Sequence, residues 1–374
     1  MGHSMRILHL VSRSHVRGVE LAALELADEL DRLGHSNHVV ALSRAFDGGQ
    51  EPRLETLSRS AANSVREFPV WAWRLRRLLA EEPVDVVMAH GGWTPHVAAL
   101  TVRRGGPLLV WQRILPFVDK IWNPALRRVQ SAVARRFDAG VALTDDMADE
   151  LRRLGFRGPV WTIPNFRKPD RFLAVDRDEA AARLRAEVGV PADVALIGYV
   201  GHLIDQKRPD RLLDVMAHLG ARGCSAHLVV AGTGPLAEHL VARAERLGVA
   251  GAVTFLGHRS DVEWVFGGVD LSLLTSESEG IPGVAVEAVM SGCPMVTVPV
   301  GGVAQVIEDG VNGIVLDSFE PAAMAEAVAG LLADEDRRAA MSEAGRKRAD
   351  GLSAASTAAV YAERLTAALA ERRA

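Results

Sequence analysis

Short apolar runs alternate with helical stretches twice along these 374 residues, and that doubled alternation is the strongest constraint on the fold. In the first half RILHLVS, NHVVALS, PVDVVMAH, PLLVWQ and AGVALT read as buried strands. Between them run segments such as VELAALELADELDRLG, with apolar residues at helical spacing and Gly34 placed to close the helix. The pattern restarts at VALIGYVG and continues through AHLVVAGTG, AVTFLG, DLSLLTS, CPMVTVP and GIVLD. Near-continuous apolar strands alternating with helices imply parallel sheets covered on both faces. The chain is too long for one ordinary core and suits two domains. The polar, proline-containing stretch PNFRKPDRFLAVDRDEA (164–180) reads as the linker. The expectation is an α/β chain of two Rossmann-like, doubly wound domains, 1–175 and 176–354. The terminal helix, 355–374, is expected to pack back on the first domain.

Apolar residues make up 48% of the chain but aromatics only 5%, so the cores are built mostly from Ala, Val and Leu. The formal net charge of −4 is uneven: residues 1–175 carry +6 and the remainder −10. A basic half can face an acidic ligand or an anionic membrane, and solvated surface explains it equally well. Four lysines against 39 arginines reflect coding bias rather than a binding signature, and no nucleic-acid partner is expected. Cys224 and Cys293 are far apart and form no CxxC, so neither a disulfide framework nor a zinc site follows. Cys293, in SGCPMV, reads as a small core residue, and a reducing, cytoplasmic setting fits. No apolar run has the length of a membrane span. Arg6 and Arg13 bracket only ILHLVS, which is too short for a secretory h-region.

In doubly wound sheets ligands bind beyond the carboxyl ends of the strands, so the loops after each strand matter most. One of them, TSESEGIPGVAVEA (275–288), places Glu279 and Glu287 on either side of Gly280, Pro282 and Gly283. It reads as strand end, turn and helix, with Glu287 about one turn inside the helix. Pro282 suits the first helical turn, where its missing N–H costs little. Gly280 and Gly283 let backbone approach a ligand closely. The amides of Ile281, Gly283 and Val284 form an electropositive helix start. Glu287 can accept two hydrogen bonds from a vicinal diol such as a ribose, and Glu279 can contact a sugar. By itself this spacing is a weak signal, because a helix capped by acidic residues looks the same. Its company strengthens it. Lys207 lies in the strand-end loop of VGHLIDQKRPDRLL, where an ammonium can neutralise a leaving diphosphate and a merely solvated lysine is the plainer alternative. VVAGTGP supplies Gly232, VTFLGHRSDV supplies His258 and Arg259 beside a place for a flat base, and VPVGGVAQVIEDGVNGIVL supplies Gly301 and Gly302.

As an ordered set, VGHL…QK, VVAGTGP, TFLGH, DLSLLTSESEGIPGVAVEAVMSGCPMVTVPVGG and IEDGVNGIVL resemble the donor-binding domain of family 4 glycosyltransferases with the GT-B fold. The first half matches more loosely, through GVELAALELADELDRLGH, DVVMAHG, GVALTDDMADELRRLG and IPNF. The resemblance covers nearly the whole chain and implies two domains facing across a cleft. It implies retaining transfer from a nucleoside diphosphate sugar, with UDP as the default nucleotide and no bound metal or other cofactor. By motif matching Glu279 and Gly280 to Gly283, with Val284, face the donor sugar and diphosphate; Glu287 holds the ribose and Lys207 the phosphates. The main chain at His258 and Arg259 lies near the base. The departing phosphate then helps deprotonate the acceptor, and no protein nucleophile is required.

Three positions depart from the family pattern. His202 stands where an arginine is usual, and a neutral imidazole grips phosphate less well than a guanidinium. Arg17 replaces the first glycine of the Gly-Gly loop, before Gly18. VWQRILPF offers Gln112 or Arg113, taken as acceptor-binding candidates, where a histidine is common. Arg17 is expected to supply the charge that His202 lacks, a role that the kinetics of an Arg17→Ala variant would show or dismiss. His15, His90 and His96 read first as structural histidines. WAWRLRRLL (71–79) and WQRILPFVDKIWNPALRR (111–128) mix tryptophan with arginine, which suits either an amphipathic helix packed on its own domain or peripheral contact with an anionic membrane. The acceptor is a small molecule or a lipid-linked one. Two rival functions remain: a nucleotide-sugar epimerase or glycosyl phosphorylase on the same fold, and a binding protein or oxidoreductase. Against the last, no G-x-G-x-x-G follows the first strand.

Overall fold

The computed structural model describes residues 4–14, 18–44, 54–61, 64–114 and 123–373. The chain forms two compact units, Met1–Phe166 with Ala354–Ala374, and Arg167–Ser353. The first holds β1 (Arg6–Arg13), β2 (Ser36–Ser43), β3 (Glu55–Thr56), β4 (Val86–His90), β5 (Leu108–Arg113), β6 (Ala139–Ala142) and β7 (Val160–Thr162). They form one parallel sheet in the order β3-β2-β1-β4-β5-β6-β7, so the winding direction switches between β1 and β4. Ile7, Val86, Met88 and Val110 from the central strands pack with Leu26 and Leu30 of the helix Gly18–Arg32. Tyr361 and Leu365 of the terminal helix Ala354–Arg373 complete the same core.

The second unit holds β8 (Ala195–Val200), β9 (Ala226–Ala231), β10 (Val253–Gly257), β11 (Leu271–Leu274), β12 (Met295–Thr297) and β13 (Gly313–Val315). All pairs are parallel, in the order β10-β9-β8-β11-β12-β13. Their carboxyl ends therefore share one edge, which is what gathers the loops discussed above into one place. Among the described residues no helix is long and apolar enough to cross a membrane.

The stretch 164–180 is not an exposed linker. Phe166, Arg167 and Phe172 are buried in it. A helix, Arg177–Val188, begins at its end, where the Asp176 carboxylate accepts from the amides of Asp178 and Glu179 at 2.9 and 3.0 Å and supplies the cap. The Arg177 guanidinium then donates to the carbonyls of Phe266, Val269 and Ser291, which ties this helix to the helices Val262–Gly268 and Gly283–Met290 of the second unit. Polar composition concealed these roles, because Arg177 satisfies carbonyls and Arg167 meets a carboxylate instead of facing water.

Candidate functional site

The strand-end loops of the second unit are joined backbone to backbone. The amide of Gly201 donates to Ala231 O at 3.0 Å, that of Gly232 to Gly257 O at 2.7 Å, that of Glu277 to Gln206 O at 2.9 Å and that of Gly302 to Gly280 O at 2.6 Å. Such close approach explains two glycines. A Cβ on Gly232 would stand 1.8 Å from Gly201 O. Gly301 has φ +52°, and a Cβ there would stand 2.2 Å from Glu279 O. Both the backbone conformation and the contact exclude a side chain.

Lys207 ends a 3₁₀ turn, Asp205–Lys207, and Arg208 follows with φ 47°, the one non-glycine residue with positive φ among those described. That conformation costs a residue with a Cβ about 1–2 kcal/mol, so its surroundings must enforce it. Thr275 Oγ1 donates to the carbonyls of Lys207 and Arg208 at 3.2 and 3.0 Å, and the Arg208 fork closes on Asp210 at 3.1 and 2.9 Å. Gln206 Nε2 donates to Ser278 O at 2.7 Å. These bonds lock the two loops together and place Lys207 Nζ in a hydrogen bond to Glu279 Oε1. The Lys207 and Glu279 side chains are 22% and 7% exposed, so the pair is largely sheltered yet reachable. Beneath them burial, with the Glu279 charge adding to it, pushes the Tyr199 hydroxyl well above its ordinary pKa, so it stays neutral. An ammonium carries three N–H donors, and one directed at Glu279 leaves two for a ligand's oxygens.

The helix after the turn is Gly283–Met290, with Pro282 as its N-cap rather than inside its first turn. No side chain caps it, and its first backward bond runs from the Ala285 amide to Pro282 O at 3.1 Å. Ile281 and Pro282 are buried, Gly283 and Val284 half-buried. Glu287 is buried one turn in, where Arg167 Nε donates to its Oε1 at 2.7 Å. A Cβ on Gly283 would stand 1.9 Å from Arg167 Nη2. The room left by Gly283 is thus filled by a guanidinium, not by an approaching ligand. Sequence reasoning missed Arg167, whose only signal was its place between two phenylalanines. On the neighbouring loops His202 is half-buried and His258 exposed. The Arg259 guanidinium is held by Asp261 at 2.7 and 2.8 Å and by Glu187, contacts that raise its pKa.

In the first unit Arg17 and His15 lie outside the described residues, and Gly18 opens the first helix. Gln112 and Arg113 end β5. Gln112 is buried, with its side chain beside His90. Burial lowers the Arg113 pKa to about 10 against the pull of Glu150, 3.8 Å away. His90 faces Gln112 in the β4–β5 register. His90 is itself buried beside His9 of β1, which sequence reasoning did not single out; His96 stacks edge-on against Trp93 at 5.3 Å. Among the described residues no group of three or more His, Cys, Asp or Glu is placed to hold a metal ion.

Residues 181–348 match the family described as Glycosyl transferases group 1, and residues 16–171 match Glycosyltransferase Family 4. D-inositol 3-phosphate glycosyltransferase 2 of Catenulispora acidiphila is 35% identical over 316 residues, covering 77% of this chain and 72% of that protein. The alpha-D-kanosaminyltransferase of Streptomyces kanamyceticus is 28% identical over 292 residues, covering 73% and 75%. The structure of Anabaena Alr3699/HepE in complex with UDP and glucose superposes with a TM-score of 0.82 at 21% identity, covering 97% of this chain and 99% of that one.

Proposed function

Since this chain belongs to the family 4 glycosyltransferases and has the GT-B fold, we propose that it moves a sugar from a nucleoside diphosphate sugar, a UDP-sugar, to a hydroxyl acceptor with retention at the anomeric carbon. The observation that carries this reading is the Lys207–Glu279 pair at the head of an uncapped helix on the carboxyl edge of the second sheet. Lys207 and the first amides of the helix Gly283–Met290 take the diphosphate, Glu279 the sugar and Glu287 the ribose. The bond from the anomeric carbon to the β-phosphate oxygen breaks, and its electron pair leaves on that oxygen. The acceptor oxygen bonds to the same face of the sugar, and the departing phosphate takes the acceptor proton. The positive charge this needs comes from an ammonium and from amides, which supports a reaction without a metal. The relatives described above are transferases, which favours transfer over epimerisation or phosphorolysis.

The acceptor, a small molecule or a lipid-linked one, is assigned to the first unit near Gln112 and Arg113. Thermal-shift measurements with UDP, GDP and ADP test the donor assignment, because a ligand bound only by the folded chain raises Tm. UDP is expected to give the largest rise; no rise with any of the three would remove the donor site. Proton NMR of the product should then show the anomeric configuration of the donor, and an inverted product would refute retention.

A cytoplasmic protein touching the inner membrane face is the matching location. Trp73 is 59% exposed on the helix Phe68–Glu81 beside exposed Arg76 and Arg77. Leu126 and Val129 are 47% and 52% exposed on the helix Pro124–Ala134 beside exposed Arg127 and Arg128. Apolar and cationic side chains together suit an anionic lipid surface. The chain should sediment with phosphatidylglycerol vesicles and not with phosphatidylcholine ones; equal recovery with both would count against this contact.

A further inference from the structure

We propose that Arg167 is a positioning residue for donor recognition: it fixes the Glu287 carboxylate in the orientation that reads the two hydroxyls of the donor's ribose. The inference rests on the nucleotide-sugar reading of the second unit. Three observations converge on it. Arg167 Nε donates to Glu287 Oε1 at 2.7 Å, with the two side chains 1% and 8% exposed. Its backbone is anchored, since its amide donates to Leu352 O at 3.1 Å and it bridges Ser353. The guanidinium therefore rises from a rigid base. Gly283 then keeps its Cβ position vacant for Nη2, 1.9 Å away, although Gly283 has no left-handed φ that would demand a glycine. The Arg167 contact is what leaves no room for a side chain there.

A buried ion pair is seldom the most stable filling for such a space, because apolar side chains of similar volume often do as well. Its distinctive property is direction. A glutamate on a helix can swing about three side-chain torsions, and a charge-assisted bond from a fixed guanidinium stops that motion. With Oε1 held, the plane of the carboxylate is set before a diol arrives. Arg167 is too buried to touch the donor, so its effect must pass through Glu287.

The test is calorimetric titration of the full chain with UDP and with 2′-deoxy-UDP. The unaltered chain should prefer UDP by about tenfold, since a site built for a hydroxyl rejects an analogue lacking it. Arg167→Met should weaken UDP by about tenfold and 2′-deoxy-UDP far less, so that the ratio falls towards one. Arg167→Lys keeps the charge and most of the stem and should give an intermediate ratio; Gly283→Ala, which crowds the guanidinium without removing it, should lower the ratio too. If Arg167→Met does not fold, the other two variants carry the test, with circular dichroism confirming their fold. A folded variant at either position that keeps the full ratio overturns the assignment. Wild-type binding of both nucleotides alike overturns it while leaving the donor site standing. Failure to bind UDP, GDP and ADP overturns the donor reading and this inference with it.

Discussion

Replacing Lys207 with alanine should slow sugar transfer by about 100- to 1,000-fold, a loss of about 3–4 kcal/mol of transition-state stabilisation. As the glycosidic bond breaks, negative charge grows on the departing diphosphate. A fixed ammonium in a sheltered site stabilises that charge more than water would, and the Lys207 side chain is only 22% exposed. The variant has a second consequence, because Lys207 also neutralises Glu279. Without it, a buried carboxylate confronts the incoming diphosphate, and KM for the donor should rise alongside the fall in kcat. Adding Glu279→Gln to Lys207→Ala removes that repulsion, so KM should recover in part while kcat stays low. Lys207→Arg should recover less than charge alone suggests, since a planar fork does not replace a compact ammonium. Steady-state kinetics of these three variants beside the unaltered enzyme check this. A Lys207→Ala enzyme with unchanged kcat would show that the diphosphate is stabilised elsewhere. Because removing Lys207 leaves the buried Glu279 carboxylate without its partner, the single variant should also lose stability, and circular dichroism should accompany the kinetics.

The residues legible in the sequence are those whose role depends on position along the chain. The long strands announce themselves because burial on both faces makes them continuously apolar: β4 is buried at every residue from Val86 to His90. The edge strands β3 and β7, of two and three residues, are too short for any periodic signal. Lys207 and Glu279 could be named because loops after parallel strands must share an edge. Their pairing, across 72 residues, could only be seen in the folded chain. The same holds for Arg167, which meets Glu287 across 120 residues from a stretch whose composition suggested a linker. Gly283 shows the difference most clearly. Its type was noticed and its reason was not, because the atom filling its Cβ position belongs to that distant arginine. His9 escaped notice for a related reason: a histidine inside an apolar strand has no partner visible along the strand.

That histidine makes the first unit sensitive to acid. Asn37 Nδ2 donates to Asp31 Oδ1 at 2.9 Å, which turns Asn37 Oδ1 towards His9 Nε2, also at 2.9 Å. His9 must therefore donate through Nε2, leaving Nδ1 to accept from His90 Nε2 at 3.0 Å. In this direction the relay needs His9 neutral, since a proton on His9 Nδ1 would set it against the His90 Nε2–H. Burial lowers the His9 pKa from 6.5 to about 4, opposed by the Asn37 bond and by Asp31. Burial, and then His9, push His90 well below its ordinary value. The sign follows from these directions. Above pH 6.5 neither state takes up the protons, and the pair's contribution is full. Between 6.5 and about 4 the unfolded chain binds protons that the folded one refuses, so stability falls as pH falls. His9 alone should cost about 3 kcal/mol by pH 4, with His90 adding in the same direction. Urea unfolding at pH 7 and pH 4.5 should show the loss, well above the range where carboxylates such as Asp210 and Asp261, whose pKa values are lowered, become protonated. A His9→Asn, His90→Gln chain should be less stable at pH 7 yet lose much less between the two pH values. An equally steep loss in that variant would place the acid-sensitive groups outside the β1–β4 pair.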